Sequence, residues 1–283
     1  MEVVELHDAR AARERAGAFL RTDPVQHNLL LTIIEQSIEH SLGGNFWLVV
    51  DDSDVIGLAL ESPPGFGAVL APMPADMCHR LAESITTAVT HVVGEAGAAA
   101  AFAGRWTECR STSVTAIDGQ RLYELTDLQA ASNASGSLRL ARAEDRSTLV
   151  DWTNGFVEDA DVVPVHAEQL VDARLERDLF WVWDDGGPVS MVSASAPVAG
   201  VARVQYVYTP PERRNAGYAT ACVEQTSRRL TARGLRCVLF TDLANPTSNA
   251  IYRRIGYEAV AEILGYDFGE SGGAHGSGAS GGD

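Results

Sequence analysis

Two stretches in the C-terminal half combine residue types that do chemistry together. The first is Arg213-Arg214-Asn215-Ala216-Gly217-Tyr218-Ala219-Thr220. It follows a β-rich run, Val204-Gln205-Tyr206-Val207-Tyr208-Thr209, closed by Pro210-Pro211, and precedes a segment with Ala219, Val223, Ser227 and Leu230 at helical spacing. Two prolines cannot continue a ladder, so the strand must end there. A tight, glycine-containing turn into a helix start leaves the first-turn N–H groups free and presents the positive end of the helix dipole, which makes an anion cradle. Gly217 lets a phosphate approach the backbone, small Ala219 keeps the entry open, and Arg213 or Arg214 offers a charge-assisted contact. Arg228, Arg229 and Arg233 suit the negative end of the same helix, and Gly234 suits its C′ position. The loop has neither the Lys-Ser/Thr of a nucleotide P-loop nor the G-x-G-x-x-G of a dinucleotide fold.

The second stretch runs from Arg236 to Tyr257. Arg236 to Thr241 reads as a buried strand. Asn245 is placed to cap a helix with Pro246 at its first position, and Gly256 to end it. Ile251 and Ile255 lie one turn apart and should face the core, with Tyr252 beside that stripe. A phenol there has two readings: a proton donor at a site, or a core aromatic whose hydroxyl meets a backbone group.

The elements that must position these residues occur twice. Phe46 to Asp52 and Val55 to Leu60 form one strand–turn–strand unit, and Phe180 to Asp185 and Val189 to Ser193 form another, with Gly186-Gly187 in the turn. Helical regions precede each hairpin: Ala11 to Phe19 and Asn28 to His40, then Ala143 to Phe156 and Ala167 to Arg177. After each hairpin a further strand, Phe66 to Leu70 or Val201 to Thr209, runs through prolines into a helix. In the first copy that connection has no glycine and no basic residue, its prolines remove donors, and Asp76 is placed to cap the helix; the first copy should therefore bind no phosphate and serve to shape an acceptor cleft. The predicted organisation is a first domain over 1–129, a small polar linker over 130–137, a second domain over 138–270 and a disordered Gly/Ser tail over 271–283.

In order and at this separation, the two stretches resemble the GNAT superfamily of acyl-CoA-dependent N-acyltransferases. The specific likeness spans Val207 to Tyr257, and the fold-level likeness about Leu138 to Phe268. The resemblance implies an α/β fold of two tandem GNAT-like domains, each a mixed, mostly antiparallel sheet flanked by helices. It implies that Val207, Tyr208 and Thr209 pair with the pantetheine arm of acetyl-CoA. Arg214, Asn215, Ala216, Gly217, Tyr218, Ala219 and Thr220 would cradle its pyrophosphate, Asn245 belongs to the second motif, and Tyr252 would protonate the departing thiolate. Some family members carry a glutamate base on the central strand, where this chain has Gln205 and Tyr206. The base could be a bound water, an acid of Glu158-Asp159-Ala160-Asp161, His166 or Asp242. The acceptor implied is a small amine or a peptide N-terminus. Two alternatives stay open: an acyl-CoA-binding sensor without turnover, and a mycothiol synthase-like acetyltransferase.

Composition narrows the field further. At 283 residues with 46% hydrophobic content the chain is long enough for two buried cores. A formal net charge of −16 repels phosphate backbones, so no nucleic-acid partner is expected. No apolar run is long enough for a membrane span, and the N-terminus lacks a basic start and apolar signal core, so a cytoplasmic protein is expected. Cys78, Cys109, Cys222 and Cys237 form no C-x-x-C pair and no zinc-ligand spacing with histidine, so reduced thiols and no metal are expected. The sequence sets no oligomeric state.

Overall fold

The computed structural model describes residues 1–160 and 165–269; the predicted tail over 271–283 lies outside them. In chain order the first half contains β1 (Glu2–Leu6), α1 (Ala9–Leu20), α2 (Asn28–Glu39), β2 (Asn45–Asp51), β3 (Asp54–Glu61), β4 (Ala68–Leu70), α3 (Ala75–Ser84), β5 (His91–Glu95), α4 (Ala96–Arg110) and β6 (Val114–Leu125). The second half contains β7 (Ser137–Leu140), α5 (Arg146–Ala160), α6 (Ala167–Leu175), β8 (Phe180–Asp184), β9 (Pro188–Ala194), β10 (Val201–Tyr208), α7 (Tyr218–Thr231), β11 (Arg236–Asp242), α8 (Pro246–Ile255) and β12 (Tyr257–Phe268). Both predicted hairpins are present, as β2–β3 and β8–β9. Among the described residues no helix is long and apolar enough to cross a membrane.

The chain divides by contacts into two compact units. One holds Met1–Phe19, Gln36–Asp118 and the chain from Ile263 on; the other holds Leu20–Glu35 and Gly119–Glu262. In the first unit β1, β2, β3 and β4 are antiparallel neighbours, β4 pairs parallel with β5, and the end of β12 pairs antiparallel with β5 through Ile263↔Glu95 to Asp267↔His91. In the second unit β7, β8, β9 and β10 are antiparallel neighbours, β10 pairs parallel with β11, and β6 pairs antiparallel with β11 through Val238↔Glu124 to Asp242↔Gln120. The two sheets share one topology. The last strand of each comes from the opposite half of the sequence.

In the second unit α7 and α8 cover one face of the sheet. Trp181, Trp183, Val192, Ala202, Val204, Val223, Leu239 and Ile255 are buried there in one cluster. The other face carries α5 and α6 over Leu149, Val171, Phe180, Val182 and Met191, with Tyr206 and Tyr208 packed against them. The helix ends follow local chemistry. Gly234 (φ 77°) closes α7, with its own N–H on Thr231 O and that of Leu235 on Leu230 O, the paired bonds of a glycine C′ cap. At the end of α8, Gly256 (φ 105°) is approached so closely by the backbone of Asp127 that a Cβ would lie 1.8 Å from its carbonyl oxygen. Thr126 and Gln129 donate to Gly256 O and Ile255 O, so only glycine fits where the chain from β6 crosses the helix end. In the first unit Pro74 rather than Asp76 is the N-cap of α3, without a side-chain bond. Asp76 instead sits in the first turn, because Pro74 ends its extended approach two residues earlier.

Residues 130–137 are pinned within the second unit. The N–H of Ala131 donates to buried Glu224 (2.8 Å), Ser132 Oγ donates to Gly217 O (3.1 Å), and Trp183 Nε1 donates to Ser135 O (2.6 Å). At the start of the same unit Arg139 grips Asp145 through both terminal nitrogens, at 2.7 and 2.9 Å, and Asp145 also accepts the N–H of Arg142. The Arg139 guanidinium beside it holds the Asp145 carboxyl below the usual carboxylate range.

Two outcomes check this architecture. A fragment of residues 130–283 lacks β6, leaves the β6-facing edge of Val238 to Asp242 unpaired, and should aggregate or give poorly dispersed amide spectra where the full chain gives dispersed ones. Asp145→Ala should cost about 2–3 kcal/mol in urea denaturation at neutral pH. Because the folded carboxyl is depressed, that stabilisation is complete above the unfolded pKa and fades as pH falls through the folded value, so the difference from wild type should shrink in acid.

Candidate active site

β10 starts as an ordinary parallel partner of β11, with Val201↔Arg236, Ala202↔Cys237 and Arg203↔Val238 in register. Beyond Arg203 that pairing ends, while β11 continues along β6 to Asp242. On its other side β10 stays with β9, but the register shifts: Gln205 faces Ser193 and Tyr208 faces Met191, so Tyr206 and Val207 together oppose Val192. This is a β-bulge, and it turns the backbone of Tyr206 to φ 51°. A bulky side chain at positive φ costs about 1–3 kcal/mol, and such strain concentrates at functional sites. The neighbours that hold it are the Phe156 ring, 5.3 Å away between centroids, and the Arg174 guanidinium, 5.0 Å over the Tyr206 ring. The result is an open backbone edge from Val204 to Tyr208, facing the gap that widens toward the C-terminal ends of β10 and β11. Val207 and Tyr208 stand along that edge, and Thr209 follows it just past the strand's end. Ser190 Oγ braces its far end, bonded to Tyr208 O (3.0 Å) and Thr209 Oγ1 (2.9 Å).

Past Pro210 the chain makes one turn of 3-10 helix, Pro211–Arg213, and then Asn215 (φ 65°) and Gly217 (φ 81°) reverse it into α7. Gly217 is the N-cap and offers no side chain to the helix. The first backbone donor used within α7 is Ala221, on Gly217 O (3.0 Å). Among the described residues no hydrogen bond engages the N–H groups of Asn215, Ala216, Gly217, Tyr218, Ala219 or Thr220, and Arg213 to Gly217 are exposed. Unengaged donors at a helix N-terminus are groups that favour an anion.

The arginines divide the work. Arg214 donates Nε to Thr209 O (3.0 Å) and Nη2 to Asp159, so it fastens the loop back onto the strand and α5. Arg213 makes no ion pair among the described residues. Arg254, which the sequence reading passed over, reaches from α8 to Thr220 Oγ1 (3.2 Å) and stands at the first turn of α7. Its signal was available: it lies in the last turn of the helix that carries Tyr252.

α8 is capped as expected, Asn245 Oδ1 accepting from Ser248 N (3.0 Å), with Pro246 at the first position. The side chain that fixes the helix to the sheet is Asn249. It is buried, donates to Asp242 O (2.9 Å) and Asn245 O (2.7 Å), and accepts from the Tyr123 hydroxyl (2.9 Å). Tyr252 packs 6.5 Å from the Tyr123 ring and 6.1 Å from the Tyr257 ring. The Tyr123 hydroxyl is taken by Asn249 and that of Tyr257 by Ser227 (2.7 Å), whereas the Tyr252 hydroxyl has no partner among the described residues. Burial pushes the Tyr252 phenol up to about 12, so it keeps its proton throughout the neutral range.

Two of the acids weighed as bases are already engaged. Asp159 holds Arg214, and Asp242 Oδ1 accepts from Ala244 N (2.7 Å) in its own turn. His166 precedes α6 as an exposed N-cap without a side-chain bond, and Asp161 lies outside the described residues.

With this geometry in view, the comparisons with known proteins are consistent. The family model described as Acetyltransferase (GNAT) family matches residues 143–257. Among solved structures, a GNAT-family acetyltransferase from Colwellia psychrerythraea is similar at a TM-score of 0.62 with 11% identity, covering 95% of this chain and 100% of that one. A GCN5-related N-acetyltransferase from Sphaerobacter thermophilus aligns at a TM-score of 0.60 with 16% identity, over 93% and 94% of the two chains. A tandem GNAT protein from the clavulanic acid biosynthesis pathway aligns at 0.54 with 13% identity, over 96% and 99%. At these identities the likeness is one of fold. No curated protein matches the sequence.

A substitution at the loop tests the cradle. Gly217→Val forces a β-branched residue into φ 81° and sets its Cβ about 3.1 Å from Ser132 Oγ. It should weaken coenzyme A binding at least 10-fold by calorimetry with an unchanged far-ultraviolet spectrum.

Proposed function

We propose, from the match of residues 143–257 to the GNAT acetyltransferase family, that this protein moves the acetyl group of acetyl-CoA to a primary amine of a small molecule or peptide. The observation that carries the reading is the run of unengaged amides from Asn215 to Thr220, at the end of a strand whose edge is open from Val204 to Tyr208. A diphosphate fits the first and an extended chain of amides fits the second: the edge offers strand-like N–H and C=O groups at strand spacing. Arg213 and Arg254 supply positive charge on either side of the cradle. A thioester brought in this way contributes an acyl carbon already activated toward nucleophiles.

The chain's own part is positional and electrostatic. Both reactants would meet in the gap between β10 and β11, so that attack is intramolecular in effect. The bulge at Tyr206 and Val207 takes the Val207 N–H out of the regular ladder and supports its use as a donor to the carbonyl oxygen as negative charge builds there. In the transfer the amine nitrogen bonds to the carbonyl carbon, the carbon–sulfur bond breaks, the amine loses a proton to water, and the sulfur gains one. Tyr252 suits that last role, as the phenol of its cluster that is protonated, partly exposed and unbonded.

Tyr252→Phe should lower kcat by roughly 100-fold, the usual scale of a general acid, while leaving the acetyl-CoA dissociation constant within about twofold. Because the phenol is held near 12, wild-type kcat should show no loss attributable to this group up to pH 10. Equal kcat in the variant would remove the proton donor. Tight acetyl-CoA binding with no thiol release over a broad amine panel would make the protein a sensor instead of an enzyme.

A further inference from the structure

The face of the second unit's sheet that carries α5 and α6 holds two arginines that no carboxylate of the described residues accompanies. Arg203 sits on β10 at the last position paired with β11, where the two strands part. Its neighbours Ala202 and Val204 point into the α7 face, so its side chain goes to the opposite one. There its Cζ lies 5.8 Å over the Phe240 ring, and among the described residues its guanidinium makes no hydrogen bond and no ion pair. Arg174, from α6, stands over the Tyr206 ring at the bulge. Its partners are all neutral: Ser193 Oγ (2.7 Å), Ala194 O (3.1 Å) and the Gln205 amide oxygen, which in the orientation that satisfies both groups accepts two bonds at 2.8 Å. Burial lowers both guanidinium pKa values, that of Arg174 to about 10, and the charge of Arg203 adds to the effect on Arg174. Both remain cations at neutral pH. Cations withdrawn from water without an acid are costly to keep, and three acids of this unit are committed to other arginines: Asp172 to Arg146, Asp159 to Arg214, Glu124 to Arg236.

We propose that Arg203, backed by Arg174, is a carboxylate subsite, and that the acceptor is an amine bearing a carboxylate, of the α-amino acid or peptide class. This rests on the N-acetyl transfer reading above. The guanidinium fork matches a carboxylate with two parallel bonds, and Arg203 presents its fork unused. Arg203 and the bulge residue Val207 lie four residues apart on one strand, about 13 Å of backbone, a gap bridged by an arginine side chain and an amino acid together. An acceptor anchored there by its carboxylate turns its amine toward the bulge.

The same charges answer the missing base. The strand beside the gap offers Gln205 and Tyr206 and carries no acid. Two guanidinium groups nearby disfavour an ammonium and so raise the share of free amine at neutral pH. That amine bonds to the acyl carbon, its departing proton goes to water, and the sulfur leaves with a proton from the donor already described.

The test uses the full chain with coenzyme A bound. Binding of a panel of N-acetyl amino acids, which are the products of the proposed transfer, is compared by calorimetry with that of the matching N-acetyl amino acid amides. Wild type should hold at least one carboxylate 10-fold or more tighter than its amide. Arg203→Gln should erase that gap with coenzyme A affinity unchanged, and Arg203→Lys should restore part of it. In turnover, Arg203→Gln should raise KM for the carboxylated acceptor by roughly 30-fold or more with a smaller change in kcat, the mark of lost positioning. A carboxylate-to-amide ratio near one in wild type, the same ratio in Arg203→Gln, or a preference for polyamines, aminoglycosides or O-phosphoethanolamine over every amino acid and peptide would overturn the subsite. Selective carboxylate binding without thiol release would leave the subsite standing and remove the transfer reading. Turnover of amines with no preference for a carboxylate would do the reverse.

Discussion

Past Arg203 the backbone of β10 has a ladder partner on one side only, and the site follows from that fact. A strand inside a sheet normally satisfies both edges, and an edge left open has to be met by water, a side chain or a ligand. Here the opening is enforced from both directions. On one side β11 leaves to pair with β6, and on the other a bulge against Val192 shifts the register at Tyr206 and Val207. The strained Tyr206 backbone is held by packing on Phe156 and Arg174, so the opening is built into the fold and does not await a ligand.

The surrounding elements keep that gap in one shape. Arg214 ties the loop to Thr209 and Asp159, Ser190 braces the end of the strand, and Asn249 fastens α8 to the turn after β11. Residues 130–137 close over the other side of the loop through Ser132 and Gly217. The strand that fixes the course of β11, β6, belongs by sequence to the first half of the chain. The first half therefore contributes to the second unit's sheet directly, whatever else it does.

Local chemistry was the legible part. Both hairpins, the helix start at Gly217, the glycine ends at Gly234 and Gly256, and the Asn245-Pro246 start of α8 each depend on a few adjacent residues, and each stands where the sequence puts it. Pairing between distant strands left no local trace: nothing in Val114–Leu125 says that it joins β11, or in Ile263 to Asp267 that it joins β5. Charge partners were equally hidden. Arg214 reads as a phosphate contact until Asp159, 55 positions away, is seen to hold it. Asn249 and Arg203 were visible in retrospect. Asn249 is a polar residue one turn from Asn245 on the helix that carries the core stripe, and Arg203 is the one charge in β10, between buried Ala202 and Val204. Cys78, Cys222 and Cys237 are buried free thiols, but Cys109 is exposed, because the last turn of α4 presents it outward.

The central claim is that the unengaged amides between Asn215 and Thr220 receive a diphosphate. Amide hydrogen exchange with and without coenzyme A measures this at the groups concerned. The account predicts slowed exchange in the peptides covering residues 214–221, matched by the edge of β10 from Val204 to Tyr208. Unchanged exchange in that loop at saturating coenzyme A, with protection arising elsewhere, would contradict it.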